Sequence, residues 1–137
     1  MALSFVIDEN RKEFEELTQV VERLELKHKM KYFSKVRDAI NYINDSGVTP
    51  DFIFINHEMS FLKAYTWFRA IDGMPKLSET LNVLYSETVP ANIHIFPSMK
   101  VDHFYTKPSK QKHYDDILTR ILFKPETPFY VLPYQFN

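Results

Sequence analysis

The strongest constraint on the fold is the alternation of short apolar runs with amphipathic helical segments along the 137 residues. The clearest run, residues 52–56, is too short for a helix and rich in β-forming side chains, so it predicts a buried central strand. Further strands are predicted at residues 3–7, 29–33, 81–85 and 103–106. This alternation predicts an α/β domain whose parallel sheet is covered by helices on both faces.

The helices are predicted from apolar residues that recur at spacings of three and four. Phe14, Leu17 and Val20 mark one face of the first helix, and Gly47 is predicted to end the second. Two later helical patterns cover residues 61–71 and 114–122. Between these two, Pro90 and Pro97 limit any helix to about two turns.

Composition excludes several classes of function. Two glycines cannot build a Walker loop or a dinucleotide fingerprint, and the absence of cysteine excludes disulfides and a thiol nucleophile. A net charge of −1 predicts no nucleic-acid partner, so the basic run at 27–31 is interpreted as a solvated face. No apolar run approaches the roughly 18–20 residues of a membrane span, and no signal peptide is read at the start. We therefore expect a cytoplasmic protein without a membrane partner.

Polar side chains follow the predicted strands at the points where those strands end. They are Asp8, Glu9, Asn56, Ser86 and Lys107. In open parallel sheets, binding sites lie just beyond the carboxyl ends of the strands. The sequence therefore predicts one pocket that these five residues share.

Four sequence pieces, FVIDEN, PDFIFINHEM, LYSET and FYTKP, occur in an order and spacing that resemble the receiver domain of two-component response regulators. The resemblance extends over about residues 3–122, so 1–122 is predicted to be a receiver-like domain and 123–137 a C-terminal extension. It implies a flavodoxin-like, three-layer α/β/α fold with a five-stranded parallel sheet of order 2-1-3-4-5. It also implies a role in phosphorelay signal transduction.

The resemblance implies a role for each residue of the pocket. Asp8 and Glu9 take the place of the acidic pair that holds a divalent cation through hard oxygen ligands. Ser86 stands for the hydroxyl that bonds a phosphoryl oxygen, and Lys107 for the cation that pairs with it. Phe104 occupies the aromatic switch position, and the bond after Lys107 is the cis peptide typical of the family.

The main departure from the family is Asn56, which stands where the phosphoryl-accepting aspartate is expected. A neutral amide is not a competent nucleophile for phosphoryl transfer. A metal site made of Asp8, Glu9 and Asn56 has lost one carboxylate, so Mg²⁺ binding is expected to be weak or absent. The loop at 59–64 and the step at 100–102 also lack the family's glycines, which predicts altered loop shapes.

These departures predict a stand-alone pseudo-receiver that is not an enzyme, has no catalytic residue or cofactor, and acts by protein–protein interaction. A histidine kinase or a phosphotransferase is the expected kind of partner. Two alternatives remain open. One is an active receiver that accepts phosphoryl groups on a residue other than Asn56, and the other is a binding module for a small ligand in the same pocket.

The segment 123–137 is rich in both aromatic residues and prolines. Exposed aromatic side chains are costly, and prolines disfavour a helix or a central strand. We expect an extended segment that packs either on its own domain or on a second copy. The second arrangement would make the protein a homodimer.

Overall fold

The computed structural model describes residues 2–58, 61–123 and 125–131, with the backbone only for residues 61–64. The strands are β1 (Ala2–Ile7), β2 (His28–Phe33), β3 (Phe52–Asn56), β4 (Leu81–Ser86), β5 (His103–Thr106) and β6 (Phe129–Val131). The helices are α1 (Lys12–Arg23), α2 (Val36–Ser46), α3 (Phe61–Asp72) and α4 (Gln111–Phe123), with two 3₁₀ helices at Pro75–Leu77 and Ile93–Met99. None of the helices in these ranges has the length and apolar character needed to cross a membrane.

The six strands form one parallel sheet in the order β2-β1-β3-β4-β5-β6. The α/β class and the order 2-1-3-4-5 are confirmed for the first five strands, but the predicted number of five strands is wrong. The sixth strand is only three residues long and follows Pro125 and Pro128, so it carries little strand signal of its own. It forms because the open edge of β5 supplies backbone partners.

The core consists of two layers, one on each face of the sheet. Ile53 and Ile55 of β3 face α2 and α3, whereas Phe52 and Phe54 face α1 and α4. This follows from the period of two along a strand and explains why β3 reads as a continuous apolar run. The carboxyl ends of the strands are therefore held on a rigid, double-sided support.

β6 fixes part of the C-terminal extension to its own chain. Val131 is buried, and the Tyr130 hydroxyl donates to the Val101 carbonyl oxygen at 2.6 Å. The Nε2 atom of buried His103 lies 3.1 Å from the Pro125 carbonyl oxygen, to which it donates. Residues 132–137, which include two of the tail's five aromatic residues, lie outside the described residues.

Two backbone features lie in the loops before and after β5. Lys100 adopts a left-handed backbone with φ +65°, a region that favours glycine. The Lys100 ammonium pairs with Asp72 at 2.9 Å and the Lys100 carbonyl accepts from Asn82, and these contacts hold a conformation that costs a non-glycine residue about 1–2 kcal/mol. The predicted cis bond after Lys107 is wrong, because this bond is trans, the ordinary isomer of an X-Pro peptide.

We expect Glu25→Gly to raise the free energy of unfolding by about 1 kcal/mol. Glu25 follows α1 with φ +53°, and the Leu26 amide closes the helix end by donating to the Val21 carbonyl. Glycine adopts this left-handed backbone without strain. Urea unfolding measures the change, and Glu25→Ala, which removes the charge but keeps the strain, should stay within about 0.5 kcal/mol of the parent. Equal effects of the two substitutions would contradict the assignment.

Candidate functional site

The five predicted pocket residues lie at the carboxyl edge of the sheet, where the strand order reverses around β1 and β3. Asp8 follows β1, Asn56 ends β3, and Ser86 ends β4. Lys107 follows β5, and its backbone amide donates to the Ser86 carbonyl at 2.8 Å. A side-chain hydrogen bond joins Asp8 and Asn56, whereas Ser86 bonds to Thr88 and Lys107 pairs with Glu87.

Asp8 is 2% exposed, and its carboxylate is surrounded by hydrogen-bond donors. The Tyr85 hydroxyl donates to Oδ2 at 2.7 Å, and the Asn56 side-chain amide donates to the same oxygen at 3.2 Å. The Asn10 backbone amide donates to Oδ1 at 3.0 Å. Because both oxygens accept hydrogen bonds from the protein, the buried charge is stabilised without a cation.

The amide of Asn56 is held at both ends. Its nitrogen donates to Asp8, and its oxygen accepts from the Glu58 backbone amide at 2.8 Å. Glu58 in turn accepts a hydrogen bond from the Glu87 backbone amide, which connects the loops after β3 and β4. Asn56 is thus a structural link between β1 and two loops, with both of its polar atoms in use.

The hydrogen bonds around Asp8 compete with a divalent cation. Mg²⁺ needs free oxygen lone pairs in near-octahedral geometry, whereas hydrogen atoms of Tyr85, Asn56 and Asn10 point at Asp8. Glu9 is exposed on the loop beyond Asp8. In the described ranges, no group of three or more histidine, aspartate or glutamate side chains is arranged to hold a metal ion.

Ser86 and Lys107 interact within their own loops. The buried Ser86 hydroxyl donates to the Thr88 carbonyl oxygen. The Lys107 ammonium pairs with Glu87 at 3.4 Å and lies 5.4 Å from the centroid of the Tyr85 ring. Both groups that the resemblance assigns to a phosphoryl oxygen therefore have intramolecular partners.

Phe104, the residue at the predicted switch position, is fully buried in β5. Its ring lies 5.6 Å from that of Phe96 and 6.3 Å from that of Tyr130, both in edge-to-face contact. Phe96 comes from the 3₁₀ helix Ile93–Met99, and Tyr130 comes from β6. Rings on two sides thus hold Phe104 inward.

Asp8 belongs to a set of buried polar side chains beneath the pocket, which we call the tyrosine–carboxylate cluster and whose other members the sequence reasoning missed. Glu13 is 1% exposed and accepts hydrogen bonds from the Tyr105 and Tyr114 hydroxyls, both at 2.7 Å. Tyr85 stacks on Tyr105 with ring centroids 5.5 Å apart, which joins these groups to Asp8. The cluster consists of Asp8, Glu13, Tyr85, Tyr105 and Tyr114.

Burial dominates the electrostatics of the cluster. It raises the pKa of Glu13, and the hydrogen bonds from Tyr105 and Tyr114 offset part of that rise. Burial also raises the pKa of Tyr85 and of Tyr105, and the nearby carboxylates raise both further. The tyrosines are therefore protonated at neutral pH and serve as donors to Asp8 and Glu13.

The order of strands, the helices on both faces and the pocket at the carboxyl edge define the fold of response-regulator receiver domains. No family model matches the chain, and no curated protein matches it in sequence. Solved receiver domains match it in structure.

Three of these structures illustrate the likeness. The phosphorylated cyanobacterial phytochrome response regulator RcpA has a TM-score of 0.75 at 14% identity, covering 90% of this chain and 95% of its own. The chemotaxis response regulator CheY4 of Vibrio cholerae has a TM-score of 0.71 at 13% identity, covering 88% and 98%. The receiver domain of a DNA-binding response regulator from Colwellia psychrerythraea has a TM-score of 0.71 at 14% identity, covering 90% and 99%. At these identities the likeness establishes the fold.

Proposed function

We propose that the protein is a pseudo-receiver in two-component signal transduction, acting by protein–protein interaction and independently of phosphorylation. The observation that carries this proposal is the position of Asn56, whose amide bridges Asp8 and the Glu58 backbone at the acceptor position of the fold. An amide engaged at both ends offers no nucleophilic oxygen for a phosphoryl group. The receiver fold of its structural neighbours supports the signalling role.

The state of Asp8 supports the same proposal. In a working acceptor pocket a cation neutralises clustered carboxylates and bridges to the phosphoryl oxygens. Here hydrogen bonds from Tyr85 and Asn56 stabilise the Asp8 carboxylate, and Glu87 pairs with Lys107. The proposal therefore assigns no catalytic residue and no cofactor, and the module is not an enzyme.

The partners we propose are signalling proteins of the same pathway, such as a histidine kinase or a phosphotransferase, in the cytoplasm. Binding to such partners would depend on the resting surface, since Phe104 is held inward by Phe96 and Tyr130. A conformation that does not change on phosphorylation would present this surface constantly. Homodimerisation through the C-terminal extension, residues 123–137, remains a second proposal, and light scattering of the full chain tests it.

The test of phosphorylation independence is incubation with a small phosphodonor and Mg²⁺, followed by intact mass. We expect no mass gain. A stoichiometric gain of one phosphoryl group would overturn the proposal, and peptide mapping would then identify an acceptor other than Asn56. An authentic receiver domain in the same tube serves as the positive control for the donor.

A pair of substitutions tests whether hydrogen bonding has replaced the cation. Asn56→Asp places a second carboxylate where the donor now lies 3.2 Å from Asp8, and Tyr85→Phe removes the hydroxyl donor. We expect Mg²⁺ to raise the Tm of the double variant by about 2–8 °C for each kcal/mol by which Mg²⁺ binding stabilises the folded state. The Tm values of the parent and of Tyr85→Phe should not change when Mg²⁺ is added. An equal Mg²⁺ response in the parent would show that the parent site already binds the cation.

A further inference from the structure

One edge of the sheet carries a strong local charge. Residues 27–37 include five basic side chains and no acidic one, while the whole chain has a net charge of −1, so the rest of the chain carries −6. These five residues lie on or beside β2 and at the start of α2, and we call them the basic edge. They are Lys27, Lys29, Lys31, Lys35 and Arg37.

The basic edge has no ion-pair partner among the described residues. Lys27, Lys29, Lys35 and Arg37 are exposed, and the Lys31 ammonium lies 4.5 Å from the centroid of the Tyr42 ring. Elsewhere on the described chain five cations are ion-paired, among them Arg23 with Asp115 at 2.7 Å and Lys100 with Asp72 at 2.9 Å. Five neighbouring unpaired cations on a nearly neutral chain create a positive local potential.

The same edge has open backbone positions. In the sheet of the described residues, β2 pairs on one side only, with β1. Alternate residues of such an edge strand direct their amide and carbonyl groups away from the sheet, where a further strand can pair with them. Along β2 the side chains of Lys29 and Lys31 lie on the same face, about 6–7 Å apart at the rise of a strand.

We propose that the β2 edge binds an extended acidic segment of a partner protein, which adds as a seventh strand. Backbone pairing would supply affinity, and acidic side chains at every second position would face Lys29 and Lys31. Two β2 edges do not pair with each other because lysines would face lysines. A nucleic acid is disfavoured by the net −6 of the remaining chain. This inference rests on the proposed role as a protein-binding module, and it specifies that the partner segment is extended and acidic.

The test uses the full ¹⁵N-labelled protein and a synthetic peptide of about ten residues that alternates glutamate with threonine. We expect amide shift changes confined to residues 27–37 and to β1, with slowed hydrogen exchange at outward-facing amides of β2. A peptide of the same composition, with its glutamates in one block, should bind at least about tenfold more weakly, since it cannot match the period of two. Equal binding of both peptides would overturn strand addition.

Charge variants complete the test. Lys29→Glu/Lys31→Glu should weaken the alternating peptide by at least about tenfold, whereas Lys110→Glu/Lys112→Glu, the same charge change on exposed positions of α4 and its preceding loop, should not. No shift changes at millimolar peptide, or stronger binding of a single-stranded oligonucleotide at the same residues, would overturn the proposal. Phosphorylation is measured by intact mass, whereas peptide binding is measured by NMR. Failure of this proposal can therefore be distinguished from failure of the proposed function.

Discussion

Asp8→Ala is expected to lower the free energy of unfolding by about 2–4 kcal/mol, since it leaves three donors without their acceptor. The Tyr85 hydroxyl, the Asn56 amide and the Asn10 backbone amide all donate to this carboxylate. The direction of this stability change distinguishes a hydrogen-bonded carboxylate from one that belongs to a cation site. In a cation site whose carboxylates repel one another, removal of one of them stabilises the metal-free protein. Here three donors already stabilise the carboxylate, so its removal should destabilise the fold.

The single tryptophan provides the measurement for Asp8→Ala. Trp67 is fully buried and donates to the Asn82 side chain at 2.9 Å, so its fluorescence should report urea unfolding. Glu22→Ala removes one negative charge from an exposed position of α1 and should stay within about 0.5 kcal/mol of the parent. An Asp8→Ala variant as stable as the parent would contradict the role assigned to its hydrogen bonds.

The fold could be predicted because its signals are local. The apolar run of β3 and the helical spacing of Leu17 and Val20 depend only on neighbouring residues, and the structure confirms both elements. β6 could not be predicted in the same way, because a strand of three residues depends on the free edge of β5. Its pairing arises from tertiary structure and has little sequence signature.

The site was predictable in position and less so in its contacts. Strand ends placed Asp8 and Asn56 at one edge of the sheet, and the structure brings the two side chains into contact. Glu13 was missed, although it precedes Leu17 by four residues and so shares the buried face of α1. Tyr105 also gave a signal, because a tyrosine within a buried strand needs a partner for its hydroxyl. The hydrogen bond between Glu13 and Tyr105 could not be predicted from the sequence, because it depends on how α1 packs against β5.

Glu13→Ala is expected to be the most damaging single change, with a loss of about 3–5 kcal/mol. It leaves the buried Tyr105 hydroxyl and the largely buried Tyr114 hydroxyl without their acceptor and opens a cavity beneath α1. Glu15→Ala, two residues away and exposed, should stay within about 0.5 kcal/mol of the parent. Urea unfolding followed by Trp67 fluorescence compares the two variants.

Because Glu13→Ala could lose stability through the cavity alone, a rescue separates the hydrogen bonds from the volume. Glu13→Leu combined with Tyr105→Phe and Tyr114→Phe replaces the acceptor and both donors by apolar groups, and should recover most of the loss. A triple variant no more stable than Glu13→Leu alone would mean that the hydroxyls find other partners.

The pH dependence of the Glu13 contribution has a definite sign. Burial raises the pKa of Glu13 in the folded state above its usual 4.5, so folding favours the protonated form. The stability of the parent relative to Glu13→Gln should therefore be greatest below pH 4.5 and should fall as the pH rises through the raised pKa. Urea unfolding of both proteins between about pH 4 and 8 measures this difference, in which the other titrating groups cancel. A difference that grows with pH would mean that the two tyrosine hydrogen bonds and Lys107 outweigh desolvation, and that Glu13 is held as a carboxylate.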